Sequence, residues 1–248
     1  MKVYLARWVC ATPSENLAKL EREAREAAAS GASLVVFPEG FLHGYTGRTD
    51  PAGARRLFAE LSSQHPDALF VFGALSEEGR NRLTAWMGGR EAARYDKVHL
   101  FEPNGELELW RPGDRYVALR ALGHTWGLLT CNDIRFPEQA RLLRLKARCD
   151  AFVVPAWWPW RRDHVWRTLL RARAIENGAW VIGCCVAACE APGEPFAGAG
   201  NYVFSPSGEA VTTADDRTYD LDFGSQPPPV VDTVRTFADV QEVQVFEG

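Results

Sequence analysis

The spacing of apolar residues switches repeatedly between a period of two and a period of about 3.6 residues, which is typical of strands that alternate with helices. The pattern therefore predicts an α/β protein. One helix is predicted to begin at Ser14 as its N-cap, and others at residues 51–64, 137–148 and 163–177, the last capped by Asp163. Strands are predicted at residues 2–9, 33–37, 69–75, 81–87, 92–100, 116–119, 126–131, 151–155, 179–187, 201–204, 209–213 and 219–223.

Charge and hydropathy narrow the class of protein. The 248 residues include 28 Lys and Arg against 32 Asp and Glu, so the formal net charge is −4. This charge argues against a nucleic-acid-binding protein, which would carry a basic face. No apolar run reaches the length of about 18 residues that a membrane helix needs, and the first residues lack the apolar core of a secretory signal. We therefore expect a cytoplasmic protein with no membrane partner.

The chain is predicted to form a single domain over residues 1–248. Single α/β domains reach about 250 residues, and no internal repeat or linker divides this chain. A run of three prolines near the end marks a C-terminal tail at about residues 225–248. The cysteines Cys184, Cys185 and Cys189 have no histidine nearby, so they are predicted to be core thiols and no metal site is expected. The sequence contains no dinucleotide-binding motif and no phosphate-binding loop, so no organic cofactor is expected.

Cys131 is the strongest candidate nucleophile. It ends the apolar strand pattern at residues 126–130, and a helix is predicted to begin a few residues later. A thiol in that position would feel the positive end of the helix dipole, which favours the thiolate. The competing interpretation is a small buried hydrophobic residue, which is the usual role of a free cysteine.

Two further charged residues lie at predicted strand ends. Glu39 follows the buried strand at residues 33–37, where a partly covered carboxylate can act as a general base. Lys97 lies in a strand pattern that would place Tyr95, Lys97 and His99 on one face. A lysine there is either an oxyanion-stabilising cation or a solvated edge residue.

Taken together, these segments form spaced motifs. The motifs are Phe37-Pro38-Glu39, Tyr95-Asp96-Lys97-Val98-His99-Leu100-Phe101 and Cys131-Asn132-Asp133-Ile134-Arg135-Phe136-Pro137-Glu138, with supporting segments Arg171-Ala172-Arg173-Ala174-Ile175-Glu176-Asn177 and Ser205-Pro206-Ser207-Gly208-Glu209. In this order the chain resembles the nitrilase superfamily of carbon-nitrogen hydrolases from residue 2 to about residue 213.

The resemblance implies a four-layer α-β-β-α sandwich and a thiol-dependent hydrolase of linear amides. It implies that Glu39 is the general base, Lys97 the cation that stabilises the oxyanion, and Cys131 the nucleophile. It also implies a further glutamate in the loop before a Pro-Gly-Asp segment, and Glu106 stands at the matching distance, with Glu108 as the alternative. No metal or cofactor is required by this chemistry.

The residues after the nucleophile help to choose a substrate class. Nitrilases that hydrolyse nitriles have Trp-Glu there, whereas this chain has Asn132 and Asp133. N-carbamoyl amino acid amidohydrolases have two adjacent arginines, of which only Arg135 is matched because residue 134 is isoleucine. The Asp-x-Arg-Phe-Pro form is most similar to the omega-amidases, which hydrolyse short dicarboxylic acid monoamides. An amide with a carboxylate and release of ammonia are therefore expected, with the carbamoyl substrate as the alternative.

Several residues are predicted to line the substrate pocket. Trp157 and Trp158 follow the strand at residues 151–155, and Tyr45 lies just past Glu39, so these rings are candidates for opposite pocket walls. Arg135 is either a ligand for a substrate carboxylate or a partner of Glu138 or Asp133 in an ion pair. Asn132 is expected to contribute its backbone N–H to the oxyanion site. The pair Arg161-Arg162 is either a surface pair or a guide for anionic substrates.

The resemblance also implies a homodimer or a higher homo-oligomer, because family members pair their sandwiches. A catalytically idle scaffold that acts by association is the competing hypothesis, and the intact set of Glu39, Lys97 and Cys131 argues against it. Transfer of the acyl group to another amine is a second alternative, because the sequence does not distinguish water from another acceptor.

Overall fold

The computed structural model describes residues 1–45, 47, 50–190 and 196–224. The predicted tail at about residues 225–248 lies outside the described residues. The α-helices are α1 (Pro13–Ala29), α2 (Pro51–Gln64), α3 (Glu106–Leu109), α4 (Pro137–Leu142) and α5 (Asp163–Asn177). Short 3-10 turns lie at Glu102–Asn104, Cys131–Arg135 and Trp160–Arg162, and a π-helical turn follows α4 at Leu143–Ala147.

The strands are β1 (Lys2–Leu5), β2 (Val9–Cys10), β3 (Leu34–Phe37), β4 (Leu69–Glu77), β5 (Arg80–Met87), β6 (Arg90–Asp96), β7 (Val117–Ala121), β8 (His124–Leu128), β9 (Ala151–Ala156), β10 (Trp180–Cys185), β11 (Ala188–Cys189), β12 (Phe196–Ala197), β13 (Tyr202–Phe204), β14 (Ala210–Val211) and β15 (Thr218–Asp220). All of them except β11 and β12 overlap a predicted strand. The predicted strand at residues 2–9 is divided, because its end leaves β1 and pairs elsewhere as β2.

Two six-stranded sheets form the centre of the fold. The first has the strand order β15-β1-β3-β4-β5-β6 and the second has the order β14-β13-β10-β9-β8-β7. The middle strands of each sheet are parallel, and the outer pairs are antiparallel. Every residue of β3, β9 and β10 is buried, as expected for parallel strands that are covered on both faces.

Alternation along the strands divides the core into three parts and the molecule into four layers. Val36 of β3 and Val153 of β9 belong to a cluster between the two sheets. Phe37 faces the other way and packs with Phe58 of α2 and with residues of α1. Phe152 likewise faces away from the sheet interface and packs with residues of α4 and α5. The layers are thus helix, sheet, sheet and helix, as predicted.

Two predicted helix caps are wrong. Helix α1 begins at Pro13 after Thr12, not after Ser14, and the carboxylate of Glu15 accepts a hydrogen bond from the Thr12 backbone N–H at 3.1 Å. Asp163 is the first residue of α5 and does not cap it. Its carboxylate instead accepts hydrogen bonds from the Gly200 N–H at 3.0 Å and the Tyr202 hydroxyl at 2.8 Å. In the first case Pro13 sets the first residue of the helix, so the cap lies before it. In the second case the carboxylate of Asp163 binds Gly200 and Tyr202 and is not available to cap its own helix.

A small third sheet joins β2, β11 and β12, and the sequence pattern did not predict it as a separate unit. These strands have two residues each, too few for alternation to be visible. The sheet carries Phe196 and Ala197 to the wall of the cavity described below. In the described part of the chain, no helix is long and apolar enough to cross a membrane.

Candidate active site

Charged and nucleophilic side chains from distant parts of the chain meet where strands of the two sheets end. Glu39 follows β3, Lys97 follows β6, and Cys131 begins the turn after β8. Glu106 lies in the short helix α3, so it comes from the segment that was predicted to be a plain loop. The structure brings all four predicted residues into one buried cluster.

Lys97 lies between the two carboxylates. Its Nζ is 3.0 Å from Oε1 of Glu39 and 2.8 Å from Oε1 of Glu106. The exposed fraction of the side chain is 0% for Lys97, 2% for Glu39 and 0% for Glu106. Charges removed from water in this way are stable only when they are paired and hydrogen-bonded, and these are. The prediction that Lys97 lies within a strand is wrong, because β6 ends at Asp96.

Backbone groups and one amide side chain fix the two carboxylates. Oε1 of Glu39 also accepts a hydrogen bond from Nδ2 of Asn81 at 2.9 Å, and Oε2 accepts one from the Trp157 N–H at 3.0 Å. Oε2 of Glu106 accepts one from the Phe101 N–H at 2.7 Å. Each carboxylate therefore has both oxygens occupied by donors, which holds it in one orientation.

A glycine in the neighbouring strand gives the chain room to turn at Glu39. A Cβ atom at Gly73 would lie 2.2 Å from the carbonyl oxygen of Pro38, so no other residue fits there without a shift of the backbone. Strand β4 also changes register between Phe72 and Leu75. This irregularity in β4 lets Pro38 leave β3 at the angle that directs Glu39 towards Lys97.

Cys131 has a backbone conformation that is unusual for a residue other than glycine. Its φ is +49°, in the left-handed region. The surrounding turn compensates for this strain, because Asp133 accepts a hydrogen bond from the Thr130 N–H at 2.8 Å and returns one from its own N–H to the Thr130 carbonyl at 3.0 Å. Strained residues held in this way are concentrated at functional sites.

Asp133 also connects the Cys131 turn to the segment that carries Lys97. Its carboxylate accepts hydrogen bonds from the Tyr95 hydroxyl at 2.8 Å and from the His99 backbone N–H at 2.9 Å. The ring Nδ1 of His99 lies at 2.9 Å from the same carboxylate. The sequence predicted Asp133 only as an ion-pair partner for Arg135, so this positioning contact was missed.

Burial keeps the Cys131 thiol protonated in the resting site. Burial raises the pKa of this thiol well above its usual range, the carboxylates of Glu39 and Glu106 raise it further, and Lys97 lowers it. The expectation that a helix dipole favours the thiolate is therefore wrong. The turn that begins at Cys131 has only five residues, so its dipole is small beside the desolvation of the thiol.

The site favours the charged form of Lys97, whereas it disfavours the charged form of Cys131. Burial alone disfavours its charge, but the negative charges of Glu39 and Glu106 outweigh burial and raise the pKa of Lys97 above its usual range. The ammonium is thus held charged, while the neutral thiol interacts with the Glu39 carboxylate. A thiol, a proton acceptor and a fixed cation are the groups that nucleophilic attack on an amide requires.

Tyr45 connects this cluster to the cavity above it. Its hydroxyl donates a hydrogen bond to Oε1 of Glu106 at 2.5 Å, and its ring centre lies 5.9 Å from that of Trp157. Burial and the charges of Glu39 and Glu106 raise the pKa of Tyr45, so the phenol remains a donor. Its predicted place in the pocket wall agrees with the structure, and its contact with Glu106 was not predicted.

A cavity of about 460 Å³ opens onto Cys131. The described residues that line it are Tyr45, Phe101, Asn104, Cys131, Asn132, Arg135, Trp157, Trp158, Pro159, Trp160, Arg161, Arg162, Phe196 and Ala197. Each predicted pocket residue is among them. The walls combine aromatic rings with guanidinium and amide side chains, a mixture that suits a small polar or anionic molecule. Among the described residues, no three His, Cys, Asp or Glu side chains group closely enough to hold a metal ion.

Arg135 faces this cavity and forms no ion pair with any residue that the structure describes. The centre of its guanidinium lies 4.5 Å from the centre of the Trp158 ring, and its Nε is buried without a hydrogen-bond partner among the described residues. The alternative of an ion pair with Glu138 or Asp133 is therefore wrong. Asn132 also lines the cavity, but its side chain turns away to donate to the carbonyl oxygens of His99 at 3.1 Å and Leu100 at 3.3 Å.

Comparison with known proteins agrees with this fold. The profile of the family described as carbon-nitrogen hydrolase matches residues 3–223. The chain is 33% identical over 217 residues to a deaminated glutathione amidase from Synechocystis, covering 76% of this chain and 79% of that protein. It is 31% identical over 194 residues to omega-amidase YafV from Escherichia coli, covering 75% and 74%.

A solved structure has the same fold. A mutant of the amidase from Nesterenkonia sp. AN1 superimposes with a TM-score of 0.80 at 22% identity, covering 96% of this chain and 93% of that one. The four layers are those of the nitrilase-type fold. The chain belongs to the carbon-nitrogen hydrolase family, and the predicted resemblance to its omega-amidase-like members is confirmed.

Proposed function

We propose that this protein is a thiol amidase that cleaves the C–N bond of a small amide through a thioester on Cys131. The observation that supports this most directly is the buried contact of Lys97 with Glu39 and Glu106 beside the Cys131 thiol. The solved Nesterenkonia amidase carries the acetamide group of fluoroacetamide on its active-site cysteine, which is consistent with a cysteine nucleophile in this fold.

In the first half of the reaction, the Sγ–H of Cys131 passes its proton to Glu39 as Sγ attacks the amide carbon. The oxygen of the carbonyl becomes negative near the Lys97 ammonium and the backbone N–H of Asn132, which stabilise it. The C–N bond then breaks, the proton on Glu39 moves to the departing nitrogen, and ammonia leaves. A thioester between the acyl group and Cys131 remains.

In the second half, water attacks the thioester carbon and gives a proton to Glu39. The C–S bond breaks, the sulfur regains the proton, and the carboxylic acid product leaves. Glu106 does not exchange protons in this scheme. It holds Lys97 in place through the 2.8 Å contact and is itself held by Tyr45 and the Phe101 N–H. The net reaction consumes one water and needs no cofactor.

We further propose that the substrate carries a carboxylate that binds to Arg135. A guanidinium that faces a cavity without a carboxylate partner is a ready-made site for an anion. The relatives named above are amidases, and the omega-amidase relationship favours monoamides of short dicarboxylic acids. Glutaramate is therefore the first substrate to test.

The test is ammonia release from glutaramate, butyramide, an N-carbamoyl amino acid and a nitrile, with the Cys131→Ala variant alongside. We expect release from glutaramate that disappears in the variant, because no other group can form the thioester. Release that survives Cys131→Ala, or silence across the whole panel, would overturn the proposal. Selective release from the carbamoyl compound would move the assignment to an N-carbamoyl amino acid amidohydrolase.

Replacing Arg135 by glutamine is expected to raise the KM for glutaramate by about 10–100-fold, the range for one charged hydrogen-bonded contact. The kcat/KM for butyramide, which has the same chain length without the carboxylate, should stay within about threefold. Steady-state ammonia release with both amides measures the difference. Equal losses for the two amides would mean that Arg135 supports the fold of the site and does not bind the carboxylate.

A further inference from the structure

A second arginine shares the cavity with Arg135. Arg162 closes the 3-10 turn Trp160–Arg162 after β9, and its guanidinium centre lies 5.3 Å from the centre of the Phe101 ring. Its Nε, like that of Arg135, is buried without a hydrogen-bond partner among the described residues. The interpretation of Arg161-Arg162 as an ordinary surface pair therefore does not hold for Arg162.

The positive charge of this part of the cavity is not balanced by any of the described residues. Arg135, Arg161 and Arg162 line it, and no Asp or Glu does so among the described residues. The pKa of Arg135 is lowered, first by burial and then by the charge of Arg162. Two half-buried cations that repel each other cost stability unless an anion occupies the space between them.

Arg82 is placed differently. It is buried against the carboxylates of Glu77, Glu78 and Asp96, with contacts of 3.2, 2.8 and 2.7 Å. By contrast, no described acid forms an ion pair with Arg162, since the carboxylate of the adjacent Asp163 accepts hydrogen bonds from Gly200 and Tyr202. This contrast points to a ligand that supplies the negative charge at Arg162.

Trp158 contacts both arginines. Its ring lies under the guanidinium of Arg135, and its Nε1–H donates a hydrogen bond to the backbone carbonyl oxygen of Arg162 at 2.9 Å. Trp158 in turn packs on Trp166, with ring centres 5.3 Å apart. The guanidinium of Arg135 and the backbone turn that carries Arg162 are therefore supported by one packed ring, which lowers the entropic cost of binding an anion.

The cavity has room for more than a short monoamide. Its volume of about 460 Å³ lies within the range of sites for larger organic ligands. We propose that Arg135 and Arg162 together bind an acyl chain that ends in two carboxylates, so that the preferred substrate is the monoamide of a tricarboxylic acid. This inference rests on the proposed function, because it assumes that the amide reaches Cys131 with its carboxylates towards Arg135.

The test compares two amides of matched shape. One is 2-(carboxymethyl)glutaramate, and the other is 2-isobutylglutaramate, in which two methyl groups replace the oxygens of the second carboxylate. We expect the kcat/KM of the unmodified protein to be about 10–100-fold higher for the dicarboxylate, as one additional charged contact provides. In Arg162→Gln this preference should fall to within about threefold, and Arg162→Lys should retain part of it.

Arg167→Gln is the matched control. Arg167 lies 5.3 Å from the ring of Tyr202, so its removal takes away the same charge and the same kind of aromatic contact outside the cavity. This variant should keep the full preference for the dicarboxylate. Thermal unfolding of each variant distinguishes loss of binding from loss of folding.

The outcomes separate the two proposals. Turnover of glutaramate with equal kcat/KM for the two branched amides would overturn the dicarboxylate site and leave the amidase proposal standing. A preference that persists in Arg162→Gln would assign the second carboxylate to another residue and would also overturn it. If glutaramate and both branched amides are not hydrolysed at all, the proposed function and this inference fail together.

Discussion

Replacing Glu39 by glutamine is expected to lower the kcat for amide hydrolysis by about 10²–10⁴-fold, the usual contribution of a general base. The thiol of Cys131 is protonated at rest, because burial and two carboxylates raise its pKa, so attack requires a proton acceptor. Lys97 and the Trp157 N–H donate to the two different oxygens of Glu39. A glutamine side chain has only one acceptor oxygen, so its NH₂ group would face one of these donors. Steady-state ammonia release from glutaramate measures the effect.

Glu108→Gln is the control for this variant. Glu108 lies in the same short helix as Glu106 but is exposed, so its replacement should leave kcat within about twofold. A Glu39→Gln protein that is folded and keeps its kcat within about tenfold would exclude Glu39 as the proton acceptor. An unchanged kcat in Glu108→Gln would also support Glu106 over Glu108 as the further glutamate of the site, because Glu106, unlike Glu108, contacts Lys97.

The members of the site could be predicted from the sequence because each stands in a short local motif. Glu39 follows Phe37 and Pro38, and Cys131 precedes a turn whose residues are contiguous with it. Such motifs can be recognised from neighbouring residues in the sequence, without knowing the distances between side chains in the folded protein. The four layers were expected from the resemblance to the family and not from the local pattern, since β3 and β9 are continuous apolar runs without alternation.

The contacts that orient these residues could not be predicted in the same way. Asn81 donates to Glu39 across 42 positions, and Trp157 does so across 118. No periodicity or motif links such pairs, because they depend on how two sheets are placed against each other. The role of Arg162 has the same origin, since its position beside Arg135 depends on the turn that Trp158 fixes.

The charge state of the nucleophile shows how burial can reverse a local expectation. A turn that begins at a cysteine favours the thiolate when the thiol is exposed and the helix is long. Here the thiol of Cys131 is 5% exposed and faces two carboxylates. The desolvation cost and the negative charges outweigh the turn dipole. The site therefore keeps a neutral thiol next to a base, which limits reaction of the thiol before a substrate arrives.

Replacing Lys97 by methionine is expected to destabilise the protein by about 3–5 kcal/mol at pH 8, because two buried carboxylates lose the cation between them. The loss should be smaller at pH 5. Without Lys97, two buried carboxylates have no cation between them, so the folded state is stabilised when this site takes up a proton and loses stability as pH rises. Urea unfolding of both proteins at the two pH values measures this difference.

The unmodified protein should not show this trend from the same site. The pKa of Lys97 is raised by folding, so its stabilising contribution is complete at any pH below the ordinary lysine value, and it is lost only as pH rises through the higher folded value. Adding Glu106→Gln to Lys97→Met removes one of the two unpaired charges and should restore part of the stability at pH 8. Equal destabilisation at pH 5 and pH 8, with no recovery in the double variant, would mean that Lys97 stabilises the fold by packing and not by charge. In that case Glu39 and Glu106 would not need a cation to be buried, and the electrostatic basis of the proposed oxyanion site would be lost.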